Sequence, residues 1–391
     1  MKKYIIIAAA ALFAAAACSE VENKLETPEE AISFKVVDYA TATRAGETSL
    51  ITEGYKEFKT YAWLHADGAA TGSAFMTPAT VKPDNETNPT QWAPSDRTYY
   101  WPKSEGSYIN FFSFAGTQLP ASMATEGEVA FNNVTIAKAD NILVADAAYG
   151  YKKNTNPAKY GASGAKEGVP TLFRHVLAQV YFDVKLDATV VNDKNYEFTA
   201  SIEDLTLTCA NKGSLSLTFA APASTPGESK FTTTDGWVAG EGTGSLAKTE
   251  TVSLTAKGTE VAPASGFSKL MDWSTVMPQV LSKVATENAA AQDLVKVSFK
   301  YKLTSKYTDP NGVTANNTEY TETITVTDVP LSKFTPTVTK WDMNTRYTYH
   351  ITINPVSGEK ILFDPAVEAW ADGGVHSYTY PEATTGTTSG N

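Results

Sequence analysis

Short runs in which apolar and polar residues alternate make up much of this chain, and Gly, Pro, Asn and Asp punctuate them. The runs are rich in Val, Thr, Phe and Tyr, and a period of two in such residues predicts strands. Six segments carry the pattern: Ile109–Gly116 (INFFSFAG), Ala178–Leu186, Ile202–Phe219, Leu294–Thr304, Thr318–Val329 and Arg346–Pro355. In the last of these, Tyr347, Tyr349, Ile351 and Ile353 fall on one face, and Thr348, His350 and Thr352 on the other, so one side is core and the other is wet. Asn and Gly in ANKGSLSL (Ala210–Leu217) and DPNGVTANNT (Asp309–Thr318) predict hairpin connections. No short-period repeat and no long amphipathic helix interrupts the pattern. The fold class this implies is all-β, built as antiparallel sandwiches.

The N-terminus sets the compartment. Lys2 and Lys3 precede an apolar run from Tyr4 to Ala17 that ends in small residues before Cys18. As a helix that run would reach roughly 21 Å, too short for the ~30 Å hydrocarbon core of a bilayer, so 1–17 reads as a signal peptide. Small residues before a cysteine resemble a lipobox, with Ala15 where Leu or Val is usual, and this makes Cys18 the expected lipidation site, whose acyl chains would hold the protein on a membrane as a surface anchor. Cys209 is the other cysteine and reads as a small buried strand residue, so there is no disulfide framework. Residues 18–30 are polar and acidic and form a tether. About 370 residues remain, enough for two domains. The charged connector Asp187–Asn195 divides them into an N-terminal sandwich at 31–188 and a C-terminal one at 189–391.

The N-terminal domain opens, within its first strand and cleavable linker 31–44, with ISFKVVDY (Ile32–Tyr39), which has Ile32, Phe34 and Val36 on one face. It is followed by a soft Ala/Thr linker that holds Arg44. Only four arginines occur, at 44, 97, 174 and 346, so one in a linker stands out. The formal charge is −11, and loss of Lys2 and Lys3 with the signal leaves −13, which argues against a nucleic-acid partner.

Candidate chemistry is sparse. GTGSLAKT (Gly242–Thr249) is a near miss to a phosphate loop, but Ala247 replaces the second glycine and strand alternation follows it. The histidines at 65, 175, 350 and 376 lack metal-ligand spacing. No nucleophile elbow occurs, no cofactor is indicated, and the expectation is a protein without catalysis. An acidic pair for glycoside hydrolysis, which meets only in space, leaves a hydrolase as an alternative. Trp92, Tyr99, Tyr100 and Trp101 cluster in QWAPSDRTYYWP and read chiefly as core anchors. A non-polymerising lipoprotein that binds glycans on Trp92 and Trp101 is the other alternative.

Several pieces, taken in order, resemble the fimbrillin superfamily of Bacteroides-group surface lipoproteins, the major and minor pilins of type V fimbriae. They are the lipoprotein signal, TRAG after the first strand, YYWPKSEGSYINFFSFAG, TLFRHVLAQVYFDV, LTLTCANKGSLSL, MPQVL (Met277–Leu281), WDMNTRYTYHITI and ILFDPAVEAW. The resemblance implies two consecutive transthyretin-like β-sandwich domains and a structural fimbria subunit that serves adhesion. It also implies an arginine-specific protease cutting between Arg44 and Ala45, which releases the strand bearing Ile32, Phe34 and Val36. A C-terminal strand of the next subunit, a copy or a related pilin, then fills the gap head to tail. The donor here is the segment 374–381, with Val375, His376, Tyr378 and Tyr380, ahead of a polar tail at 382–391. Localisation is the outer membrane for the lipoprotein precursor and the extracellular fimbria after processing, with a host or bacterial surface receptor as a further partner. An anchor or tip subunit of the same fimbria fits the same pieces.

Overall fold

The structure is a computed structural model that describes residues 30–36, 54–87, 89, 91–153, 168–190, 194–223, 225–239, 249–253, 259–261, 263–264, 266–283, 292–333, 338–355 and 361–369. Nearly all of the described secondary structure is strand, as expected; the helical turns described are 3-10 turns at Ala188–Val190, Thr314–Asn316 and Leu331–Lys333.

The N-terminal core is built on a ten-stranded sheet. Its main path runs through Phe173–His175, Ile142–Ala145, Tyr108–Gly116, Phe58–His65, Ser73–Pro83, Trp92–Pro94, Phe34–Val36 and Val169–Thr171. Tyr108–Gly116 is buried on both faces. Phe112 and Phe114 enter one apolar cluster, while Ile109, Phe111 and Ala115 enter another. That explains why INFFSFAG is almost continuously apolar: neither side of the strand meets water. A three-stranded sheet of Glu128–Thr135, Lys212–Thr218 and Trp237–Ala239 covers the first cluster with Phe131, Leu215, Leu217 and Trp237.

In the C-terminal core two sheets share one cluster. The first contains Ala178–Asp187, Thr345–Ile353 and Ile361–Ala369, and the second contains Tyr196–Ala210, Lys296–Tyr307 and Thr318–Pro330. Phe182, Val184, Tyr349 and Ile351 from the first meet Ile202, Leu207, Val297 and Tyr301 from the second. Thr345–Ile353 turns Tyr347, Tyr349, Ile351 and Ile353 inward, as the alternation predicted.

Three expectations need correction. The boundary at 188/189 puts Ala178–Asp187 in the N-terminal domain, yet that strand pairs along its length with Thr345–Ile353 and belongs to the C-terminal core. The chain then returns, since Lys212–Thr218 pairs with Glu128–Thr135 and Gly227–Ser229 with Ala147–Tyr151. A polar connector marks exposed backbone, which joins two strands of one core as readily as two domains. Secondly, the 178–187 and 345–353 strands run parallel rather than antiparallel, because they come from distant parts of the chain and no hairpin fixes their direction. Thirdly, ANKG is not a hairpin. Tyr196–Ala210 and Lys212–Thr218 are separated by Asn211 alone and lie in different sheets, so the chain passes from the C-terminal core straight into the cover of the N-terminal one. DPNGVTANNT does form its hairpin, with Tyr307 opposite Thr318.

Candidate functional site

The feature with the plainest functional geometry is the seat of the first strand. Phe34–Val36 lies inside the N-terminal sheet, with a neighbour along each edge. On one side it runs antiparallel to Trp92–Pro94, with Phe34 opposite Trp92. The pairing continues beyond the strand: Ile32 N–H donates to the Tyr99 carbonyl at 2.8 Å, and Trp101 N–H donates to the Glu30 carbonyl at 3.0 Å. On the other side it runs parallel to Val169–Thr171, with Phe34 opposite Val169 and Val36 opposite Thr171. Val169 N–H donates to the Ser33 carbonyl at 2.8 Å. A segment from the start of the chain is thus laid between elements far downstream.

Its side chains do the packing that the alternation predicted. Ile32 and Phe34 are each 1 % exposed, and Val36 packs half-buried at the margin of the same cluster. Phe34 stands edge-on to both Phe58 and Phe111, with ring centroids 5.6 and 5.5 Å away. Phe58 in turn contacts Trp92 and Phe173, and Trp101 contacts Phe111. The four edge-to-face pairs among these, all but the tilted Phe58–Trp92 contact, add roughly 0.5–1.5 kcal/mol each to the area they bury. Without the first strand the seat is a slot with an aromatic floor and a line of unpaired backbone groups on each lip, which is the template an incoming strand needs.

Close fit fixes the strand's position. A Cβ on Gly168 would stand 2.7 Å from the Phe34 carbonyl carbon and 2.8 Å from the Lys35 nitrogen, so glycine is what lets the backbones approach. Behind the slot, Arg174 in the strand Phe173–His175 grips Asp146 through two bonds, Nε to Oδ1 at 2.8 Å and Nη2 to Oδ2 at 2.9 Å. Both side chains are buried, and Asp146 N–H donates to the Leu172 carbonyl at 2.9 Å. A bidentate pair of this kind holds the 169–175 segment, one lip and part of the floor, in fixed register.

Other residues singled out in the sequence take structural places. Trp92 and Trp101, at 2 % and 9 % exposed, are core anchors and offer no platform to a glycan, which removes the basis of that alternative at this position. His175 is fully buried and its Nδ1 lies 2.8 Å from Asn141 Oδ1, a structural arrangement. Cys209 is a buried strand residue whose thiol burial pushes up to about 12, so it is no nucleophile at neutral pH. Among the described residues no cluster of three or more His, Cys, Asp or Glu side chains could hold a metal ion, and no helix is long and apolar enough to cross a membrane. Cys18, Arg44, Ala45, Val375, His376, Tyr378 and Tyr380 lie outside the described residues. The slot's own lining, Phe58, Phe111, Gly168, Val169 and Phe173, was not singled out in the sequence. Only the pairing partners of Phe34 reveal it, and pairing across such a separation leaves no local signal.

The sequence profile of the fimbrillin-like family matches residues 43–370. The chain belongs to that family. Fimbrillin-like proteins are structural proteins of cell-surface fimbriae and adhesion. No curated protein matches the chain. Among solved structures, the fimbrial anchor protein Mfa2 from Porphyromonas gingivalis is 10 % identical, with 89 % of this chain and 99 % of that one covered at a TM-score of 0.29. A fimbrial assembly protein from Parabacteroides distasonis is 8 % identical, covering 90 % and 99 % at 0.35. A protein described as a candidate polysaccharide-binding protein from Bacteroides thetaiotaomicron is 11 % identical, covering 90 % and 99 % at 0.32.

Proposed function

We propose that this fimbrillin-like protein is a fimbria subunit whose first strand is a removable place-holder. The precursor is held at the outer membrane by lipid on Cys18 and is cut between Arg44 and Ala45 by an arginine-specific protease. The cut frees the segment that carries Ile32, Phe34 and Val36. A strand from the C-terminus of the next subunit, centred on Val375, His376, Tyr378 and Tyr380, enters the vacated slot. Main-chain hydrogen bonds supply affinity and side-chain pockets supply register. Because donor and acceptor surfaces differ, the contact does not close on itself and propagates a filament. The observation that supports this reading is the seat of Phe34, fully buried and bordered by a pairing segment on each edge, at the end of the chain that a cut at Arg44 detaches. No catalysis, metal or cofactor is part of the reading.

Treatment of the purified precursor with an arginine-specific protease is expected to convert it to SDS-resistant ladders, and deletion of Gly374 to Asn391 is expected to abolish them. Ladders that persist after the deletion would remove the C-terminal segment as donor. A precursor that resists cutting at Arg44 and stays monomeric would point to an anchoring subunit that keeps its lipid.

A further inference from the structure

A second surface lies in the other core, at the hairpin of Lys296–Tyr307 and Thr318–Pro330, flanked by Tyr196–Ala210. Residues directly opposite one another in these strands share a face, and the register is unbroken from Tyr196↔Tyr307 to Glu203↔Lys300. The inward face begins conventionally: Ile202 and Tyr301, then Ala200 and Leu303, are buried in the C-terminal core. Farther along, the same face should leave the core and turn polar. It becomes aromatic instead. Phe198 lies opposite Ser305, which lies opposite Tyr320, and Tyr196 lies opposite Tyr307. Tyr196 is 43 % exposed and Tyr320 64 %, among the most exposed large side chains described.

We infer that this overhanging face binds a neutral polysaccharide. The rings of Tyr196 and Phe198 are within 20° of parallel with centroids 6.1 Å apart, and Tyr307 adjoins Tyr196 at 5.1 Å. The stacked rings of Tyr196 and Phe198, the Tyr307 ring tilted 50° to Tyr196 and the exposed ring of Tyr320 across the sheet offer separate apolar surfaces for the C–H faces of sugars in an extended chain. Hydroxyl and carboxyl groups sit among them, with Ser305 between Phe198 and Tyr320 and Glu322 next along that face, positioned for sugar hydroxyls. Charge selects the class of glycan: Glu322 is the one charged residue on this face, and Lys302 and Lys306 of the middle strand alternate onto the other, so no cation on the face is there to attract sulfated or uronic acid chains. A second protein copy fits less well. The patch is interrupted by Ser305, Thr318 and the charged Glu322 where a protein interface core would be continuous and apolar. The inference does not rest on strand replacement, because the strands that carry Tyr196 and Tyr320 pack on a different core from that of Phe34.

The test is native gel electrophoresis of the intact protein in gels containing barley β-glucan, laminarin, yeast mannan or dextran, with heparin as the anionic comparison. Retardation by at least one neutral polysaccharide and not by heparin is expected. The double variant Tyr196→Ala/Tyr320→Ala should weaken it at least tenfold, while Tyr196→Phe/Tyr320→Phe, which keeps the rings, should retain it. An unchanged thermal melt would show that the alanine variant is folded. Phe34→Ala should leave the retardation intact, so failure here and failure of the slot reading are separable. No retardation in any of the four gels, or equal retardation of the alanine variant, overturns the inference. So does a wild-type dimer in size-exclusion chromatography that the alanine variant dissolves, which would make the face a contact between copies.

Discussion

Phe34→Ala is expected to destabilise the N-terminal core of the intact precursor by about 3–5 kcal/mol, the usual cost of truncating a buried phenylalanine. At a urea dependence of ~2 kcal/mol/M this lowers the midpoint of that core's transition by roughly 2 M. The size follows from the setting: Phe34 is the ring on which Phe58 and Phe111 both rest edge-on, and its neighbours Trp92 and Phe173 are held through Phe58. Collapse of the neighbours cannot fill the space cheaply, because the lips of the slot are pinned by backbone pairing on one side and by the Arg174–Asp146 bonds behind the other. Val36→Ala is the control. Val36 is half-buried at the margin, so its loss should cost about 1 kcal/mol or less. Equal costs for the two would mean that the strand is a loosely held cover.

The second large effect concerns the chain without its first strand. A chain starting at Ala45 forgoes burial of Ile32 and Phe34, about 1.5–3 kcal/mol each. It also forgoes the hydrogen bonds between this segment and Tyr99, Trp101 and Val169, each worth about 1 kcal/mol net. Such a chain, with Gly374 to Asn391 also deleted so that it cannot donate, should melt well below the precursor. A synthetic peptide of residues 31–39 should restore much of the difference, while the same peptide with Phe34→Ala should not. A trimmed chain that melts like the precursor, or one that ignores both peptides, would contradict the view that the slot demands an occupant.

The strand content was legible where one face is dry and the other wet. Thr345–Ile353 and Lys296–Tyr307 coincide with alternating segments, and so does Thr318–Pro330, whose inner face is half-buried. Short strands dry on both faces were harder to see. Ile142–Ala145 and Ala147–Tyr151 are buried at every residue and show no period. Ile32 and Phe34 could be placed on a core face from their spacing, and Trp92 and Trp101 as anchors from the strand that follows them. The other lip, Gly168 to Thr171, could not: a three-residue strand containing Pro170, joined in parallel to a segment near the start of the chain, carries no local signature. Nor does spacing reveal which core a strand joins, as Ala178–Asp187 and Lys212–Thr218 show. The aromatic face beyond the C-terminal core was hidden for a related reason. Tyr196, Phe198, Tyr307 and Tyr320 have the alternation of core residues, and only the end of the covering sheet makes them a surface.

The central claim is that the first strand is discarded when the subunit enters a fibre. Mass spectrometry of the N-terminal peptide of the protein recovered from the native cell surface tests it directly. A start at Ala45 in the assembled material, with residues 31–44 missing, is the result this account predicts; a start at lipidated Cys18 in all of the protein would contradict it and leave the strand as a permanent part of the fold.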